Sequence, residues 1–333
     1  MTLTGAAQSR NVLFIGNSYT EVNNLPLLIQ QAARSAGYDI TYQSNTPGGC
    51  TFRQHCSNAS MDLIRQGGWD VVVLQEQSQY PAFPQNQVEE EVFPYAQRLV
   101  NTVRAYNANC TPLFYMTWGR RDGDQMNASE FPVLGTYWGM DSMLYERYMQ
   151  MKQDNAAAVC PVGRVWRYIR TNHPDIELYD GDGSHPSMTG SYAAACAFFV
   201  MLFGQPAANI TFGSTLEPST AALIRRVTDS VVYNHLNLWR VADTTTVDTT
   251  MPSDEGVLSV DAEDPVLVYP NPVINQVTLE CPRPTFCSLY DIFGRCRASF
   301  TLVAGRNGFA LPPLESGIYC LRCGRKSYKL TKQ

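Results

Sequence analysis

The sequence predicts an α/β domain on a doubly wound parallel sheet, joined through a linker to a small β-sandwich. Three features predict it. Strand-like and helix-like stretches alternate from Val12 to about Trp239, and βα alternation calls for a parallel sheet covered on both faces. From Val241 to Asp264 the chain turns polar and acidic, with Asp-Thr-Thr at 243–245 and again at 248–250, which is linker composition. From about Pro265 short alternating stretches are separated by Pro, Asn and Gly turns, the pattern of an all-β module. The boundaries expected are therefore 1–240, 241–264 and 265–333. A chain of 333 residues exceeds one typical domain and is long enough to bury a substantial core.

Strands are expected near residues 12–16, 39–44, 70–74, 112–117 and 161–166. The first carries the most information. Val12-Leu13-Phe14-Ile15 is a continuous apolar run, as in a strand buried on both faces. It enters Gly16-Asn17-Ser18-Tyr19-Thr20, and a helix-compatible stretch follows from Leu25 to Ala36. Ligands and catalytic groups of open α/β sheets collect where such strands end. Ser18 is thus placed either to cap a helix or to act as a nucleophile. The longest apolar stretch, Tyr192 to Phe203, reads as a buried helix, and Glu217 to Leu238 as a terminal helix packing back. No apolar run reaches the roughly 18 residues of a membrane-spanning helix. No signal peptide is apparent after Met1, so one is expected to have been removed or left out.

A nucleophilic serine needs a general base, normally a histidine oriented by a carboxylate. Of four histidines (His55, His173, His185 and His235), His185 stands in Tyr179-Asp180-Gly181-Asp182-Gly183-Ser184-His185-Pro186. Asp182 precedes it by three residues, and the glycines let the loop bend sharply. One short loop can then deliver both base and orienting carboxylate, with Asp180 in reserve. Read alone, the same string is equally a solvated acidic loop.

Gly-Asn-Ser after the first strand, followed near the domain's end by Asp-x-x-His-Pro, resembles the SGNH (GDSL-type) hydrolase superfamily. The resemblance implies a flavodoxin-like α/β/α sandwich with a five-stranded parallel sheet. It also implies a Ser18–His185–Asp182 triad and no metal or organic cofactor. The oxyanion hole would combine the Ser18 N–H, a glycine N–H and an asparagine amide. Asn45-Thr46-Pro47-Gly48-Gly49-Cys50-Thr51 resembles the glycine block, with Gly49 the better match and Gly48 the reserve; it also reads as an ordinary Pro-Gly-Gly turn. The asparagine block departs from the pattern. After Val71 to Leu74 stands Gln75-Glu76-Gln77-Ser78-Gln79-Tyr80-Pro81. A glutamine amide carries the same donor as asparagine, one methylene further out. Gln77 is the choice, although strand alternation does not separate it from Gln75 or Gln79.

By that resemblance the reaction is acyl transfer to water. The family spans lipases, thioesterases, acetylesterases and acyltransferases, so the fold leaves the substrate open. The reading favoured is a serine esterase removing short-chain, acetyl-type esters from a carbohydrate. A lipase or thioesterase, or a non-catalytic glycan-binding surface protein, is the alternative. Trp118, Arg120 and Arg121, after the fourth strand, either line a sugar site or are core and solvated surface.

A hydrophobic content of 44% with 18 tyrosines argues against disorder, and a net charge of −5 without a basic run argues against nucleic-acid binding. Ten cysteines suggest an oxidising compartment. Cys50 and Cys56 are close enough to bridge. Cys320-Leu321-Arg322-Cys323 is CxxC in form, but zinc would need Cys281 and Cys287 to complete four thiolates, and core thiols or disulfides are the preferred reading.

In the tail, Tyr269-Pro270-Asn271-Pro272, Leu289-Tyr290-Asp291-Ile292-Phe293-Gly294-Arg295, Leu314-Glu315-Ser316-Gly317-Ile318-Tyr319 and Lys329-Leu330-Thr331-Lys332-Gln333 follow in order. The set resembles the C-terminal sorting domain of the type IX secretion system of Bacteroidetes. It implies that secretion machinery as partner, with release or anchoring at the outer-membrane surface. A carbohydrate-binding β-sandwich is the alternative, although exposed aromatic platforms are not obvious.

Overall fold

A computed structural model describes residues 8–241, 266–281, 285–291, 296–303, 305–323 and 326–333. The chain divides into two units, Met1–Val247 and Asp248–Gln333. The Val241–Asp264 linker reading, with its Asp-Thr-Thr repeats, lies almost wholly outside the described residues, as do residues 292–295 of the tail motif.

In the first unit, β1 (Ser9–Ile15), β2 (Asp39–Asn45), β3 (Val71–Leu74), β4 (Thr111–Tyr115) and β5 (Ala158–Cys160) form one sheet in the order β2-β1-β3-β4-β5. Every pairing is parallel. The inner strands are buried on both faces, which is why Val12–Ile15 and Val71–Leu74 are apolar without alternation. Phe14 and Tyr115 meet Phe198 of the helix Met188–Phe203, with ring centroids 6.0 and 4.9 Å apart. Phe114 points the other way and meets Phe52. This is the α/β/α sandwich expected.

The connection out of β1 runs to one side and the chain returns to β3 on the other, so the direction of winding switches between β1 and β3. Side chains and ligands gather in the crevice beyond such a switch. Ile15 lies level with Leu74 and with Asn45. The segments leaving the ends of β1, β2 and β3 therefore emerge side by side.

The fifth strand corrects the sequence reading. Residues 161–166 are not a strand; Ala158–Cys160 is, and Val162–Asn172 is a helix. Its buried residues Val162, Val165, Trp166 and Ile169 recur at helical spacing, a period that the β-prone valines masked.

The second unit contains β6 (Leu267–Tyr269), β7 (Gln276–Cys281), β8 (Thr285–Tyr290), β9 (Cys296–Leu302), β10 (Gly305–Ala310), β11 (Gly317–Cys323) and β12 (Lys326–Lys332). They form antiparallel sheets ordered β10-β7-β6 and β12-β11-β8-β9. Val277 and Leu279 of the first sheet share a core with Leu289, Leu302, Leu321 and Leu330 of the second, a β-sandwich. Along β11 the burial alternates, so the CxxC cysteines face opposite ways. Cys323 turns inward and is disulfide-bonded to Cys287, whereas Cys320 is exposed and free. Cys50 and Cys56 are both free and buried, contrary to the bridge considered for them.

Candidate active site

Ser18 is the first residue of a short helix, Ser18–Glu21, and Asn17 is its cap, accepting from the Tyr19 N–H. The cap role expected of Ser18 thus falls to its neighbour, which leaves the serine hydroxyl available. Asn17 also fastens the surrounding loops. Its Nδ2 donates to the Cys50 carbonyl at 3.0 Å, its main-chain N–H donates to Gln75 Oε1 at 2.9 Å, and its Oδ1 accepts from Gln75 Nε2 at 2.9 Å. Gln75 Oε1 also accepts from the Thr20 hydroxyl. Gly16 must lack a side chain here, because a Cβ would stand 2.6 Å from both Gln75 Oε1 and Thr20 Oγ1. Below this turn, buried His55 lies 2.9 Å from the Gly16 carbonyl through Nε2 and 2.7 Å from Ser60 Oγ through Nδ1. Burial pushes its pKa down, so it is a neutral structural imidazole that donates to Gly16.

The loop between the helices Val162–Asn172 and Met188–Phe203 brings the second half. His185 Nε2 is 2.8 Å from Ser18 Oγ, and His185 Nδ1 is 2.5 Å from Asp182 Oδ2. Asp182 Oδ1 accepts from the N–H groups of Ser184 and His185, and Gly183 takes φ +67° to close the turn. Burial raises the Asp182 pKa, but the hydrogen bonds from the His185 ring and these two N–H groups outweigh it and hold the carboxyl at about 2. The reserve, Asp180, spends its carboxylate on the Gly181 N–H. With Nδ1–H donated to Asp182, His185 Nε2 is an acceptor aimed at the serine hydroxyl.

Three aromatic rings support this loop. Tyr19 stacks on Trp118 at 4.8 Å, Trp118 stacks on Trp166 at 3.8 Å, and the Tyr19 ring meets His185 edge-on at 5.4 Å. Trp118 Nε1 donates to the Ser184 carbonyl, and the Tyr19 hydroxyl is 2.7 Å from Ser184 Oγ. Trp118 is 0% exposed. It is a buried support of the histidine loop and not a wall of a sugar site. Arg120 is also committed, its guanidinium donating to buried Asp124 and to Gln79 Oε1. Arg121 ties the same loop, donating from its N–H to the Gly183 carbonyl and from Nη2 to the Asp180 carbonyl.

The oxyanion candidates fare unequally. The Ser18 N–H lies in a first helical turn, where no intrahelical acceptor exists. Gly49 is exposed with φ +67°, a conformation that favours glycine. The Gln77 amide donates to Gln79 Oε1, while its Oε1 accepts from the Gln79 N–H. Gln79 Nε2 is taken by Asp124, and Gln75 Nε2 donates to Asn17 Oδ1 and to the Glu76 carbonyl. All three glutamine amides are bonded within their own surroundings.

A parallel sheet in this order, with the turn after β1 and the loop after the helix Val162–Asn172 meeting at Ser18 and His185, is a doubly wound α/β architecture with its candidate site at the switch in winding. Residues 267–333 match the family model of the secretion system C-terminal sorting domain, so the tail is of the sorting type expected and points to export. Among solved structures, the chain is similar to a DUF4886 family protein from Bacteroides uniformis, 15% identical with TM-score 0.59, over 69% of this chain and 95% of that one. It is also similar to a candidate SGNH hydrolase from Slackia heliotrinireducens (25% identity, TM-score 0.48, 58% and 98% covered). A lipase/acylhydrolase from Enterococcus faecalis matches at 12% identity and TM-score 0.43, over 57% and 93%. The first of these likenesses shows the fold. No curated protein matches the chain.

Proposed function

We propose that the protein is an exported serine esterase that removes short acyl groups, acetyl foremost, from a carbohydrate. The observation that carries this reading is the continuous Ser18–His185–Asp182 hydrogen-bond line. His185 takes the Ser18 proton as the hydroxyl attacks the ester carbonyl and gives it to the leaving alcohol; it then takes a proton from the water that attacks the acyl-Ser18 and returns it to Ser18 Oγ as the acid leaves. Asp182, ionised throughout, holds the imidazole and stabilises its protonated form. The N–H groups of Ser18 and Gly49 and the Gln77 amide, released from Gln79, receive the developing oxyanion, each donor contributing about 3–4 kcal/mol.

For the carbohydrate part of this reading the candidate sugar site is a cleft of about 620 Å³ whose lining does not include Ser18, His185 or Asp182. It is lined by Arg53, Tyr80, Asn86, Gln87, Glu90 and Phe131, among others, from segments that follow the C-terminal ends of β2, β3 and β4. Aromatic rings beside planar polar side chains suit a sugar. The test is a series of nitrophenyl esters together with acetate release from acetylated glycans. Turnover should fall sharply beyond short acyl chains, and Tyr80→Ala should raise KM for the glycan while leaving nitrophenyl acetate unaffected. Undiminished activity on long-chain esters sinks the acetyl reading in favour of a lipase.

A further inference from the structure

Glu76 is wholly buried, and the acyl transfer just described does not use it. Its Oε1 and Oε2 accept from the Phe52 N–H at 3.0 and 3.1 Å, and Oε1 also accepts from the Gln77 N–H at 2.5 Å. Phe52 starts the helix that leaves the Gly48-Gly49 loop, and Gln77 belongs to the turn after β3. One carboxylate therefore joins the main chains of two segments that reach the serine from different strands. Its burial raises its pKa to about 8 against the pull of these two N–H groups. Burying such a group is costly, and an apolar side chain of equal volume would often pack as well or better. What the carboxyl group supplies, and an apolar group does not, is acceptor capacity for two main-chain donors at once, since Oε1 takes both the Phe52 and the Gln77 N–H.

We propose that Glu76 is a positioning residue of the oxyanion hole. By gathering the Phe52 and Gln77 N–H groups on one carboxylate, it sets the spacing between the Gly49 loop and the glutamine turn around Ser18. The inference rests on the esterase reading. Its consequence is specific: loosening that spacing weakens transition-state stabilisation and leaves ground-state binding alone.

Measured at about pH 9, above the pKa of about 8 at which Glu76 ionises, Glu76→Gln keeps the shape and removes one acceptor. With nitrophenyl acetate, kcat should fall about 10-fold or more while KM stays within about twofold, as for a loss confined to the transition state. Phenylboronic acid, whose tetrahedral serine adduct places an oxygen in the hole, should lose affinity by the same factor. A merely structural role would lower the melting temperature without splitting kcat from KM. A folded Glu76→Gln variant with kcat within about threefold of the wild type overturns the proposal. If that variant does not fold, Glu76→Asp is measured in the same way; if neither folds, Glu76 is a folding residue and the assignment is lost. Failure of the esterase reading looks different: the wild type itself is inactive, or Ser18→Ala keeps full turnover, and the Glu76 assignment falls with it.

Discussion

At the scale of single residues, the site depends on which atoms are left unspent. Asn17 caps the helix and Gln75 fills the space over Gly16, so Ser18 Oγ keeps His185 as its hydrogen-bond partner. Ser18→Ala should lower esterase turnover by on the order of 10⁴-fold or more with the fold intact, as in other serine triads. Asp182→Ala should cost about as much, since the imidazole then loses both its orientation and its counter-charge; steady-state kinetics on nitrophenyl acetate reads both. Glu76 makes a separate prediction about pH. Its folded-state pKa of about 8 lies above the usual carboxylate value of 4.5, so the native protein holds a proton that the unfolded chain releases. That contribution to stability is fully present below about pH 4.5 and is lost as pH rises through about 8. The titratable groups that feel Glu76 are Cys50, Cys56 and Tyr148, all pushed up by burial, so they stay neutral across that window. Melting curves from pH 5 to 9 should show wild-type stability falling relative to Glu76→Gln as pH rises. Parallel curves for the two proteins would contradict this.

At the scale of elements, the His185 loop is held by what packs beneath it. Trp118 lies between Tyr19 and Trp166 and donates to the Ser184 carbonyl. Trp118→Ala should destabilise the protein by about 3–5 kcal/mol, in the range of large-to-small core changes. It should also lower kcat in whatever fraction remains folded, because the His185 loop loses a tether. A variant with normal melting and normal turnover would refute the supporting role. The strand ends were legible in the sequence because buried parallel strands are apolar runs followed by turns. The reading failed at 161–166, where valines spaced for a helix looked like a strand. It left Trp118 open between a sugar wall and the core, since a tryptophan in a loop after a strand does not reveal whether its ring lies over other rings or over solvent.

At the scale of the whole chain, each unit has a core of its own, with no residue in common. A protein ending near Val241 should therefore fold and keep its turnover on soluble esters. The same truncation in a host with the type IX system should abolish surface display or release and leave the protein in the periplasm. Normal export of the truncated enzyme, with lost affinity for polysaccharide, would make the tail a binding module instead.

The sequence by itself determined the class of fold, the candidate nucleophile and base, and the export tail. Each is written in local order: an apolar run into Gly-Asn-Ser, Asp three residues before His, and short motifs in a set succession. Tertiary structure decided what local order does not carry. It chose Asp182 over Asp180, bonded Cys287 to Cys323 rather than pairing Cys50 with Cys56, committed the three glutamine amides, and joined two loops through Glu76. At the site this depends on which strands lie side by side: β1 sits between β2 and β3, so residues 33 to 167 positions apart meet at one edge of the sheet, and a hydrogen bond forms between neighbours in space whatever their distance along the chain.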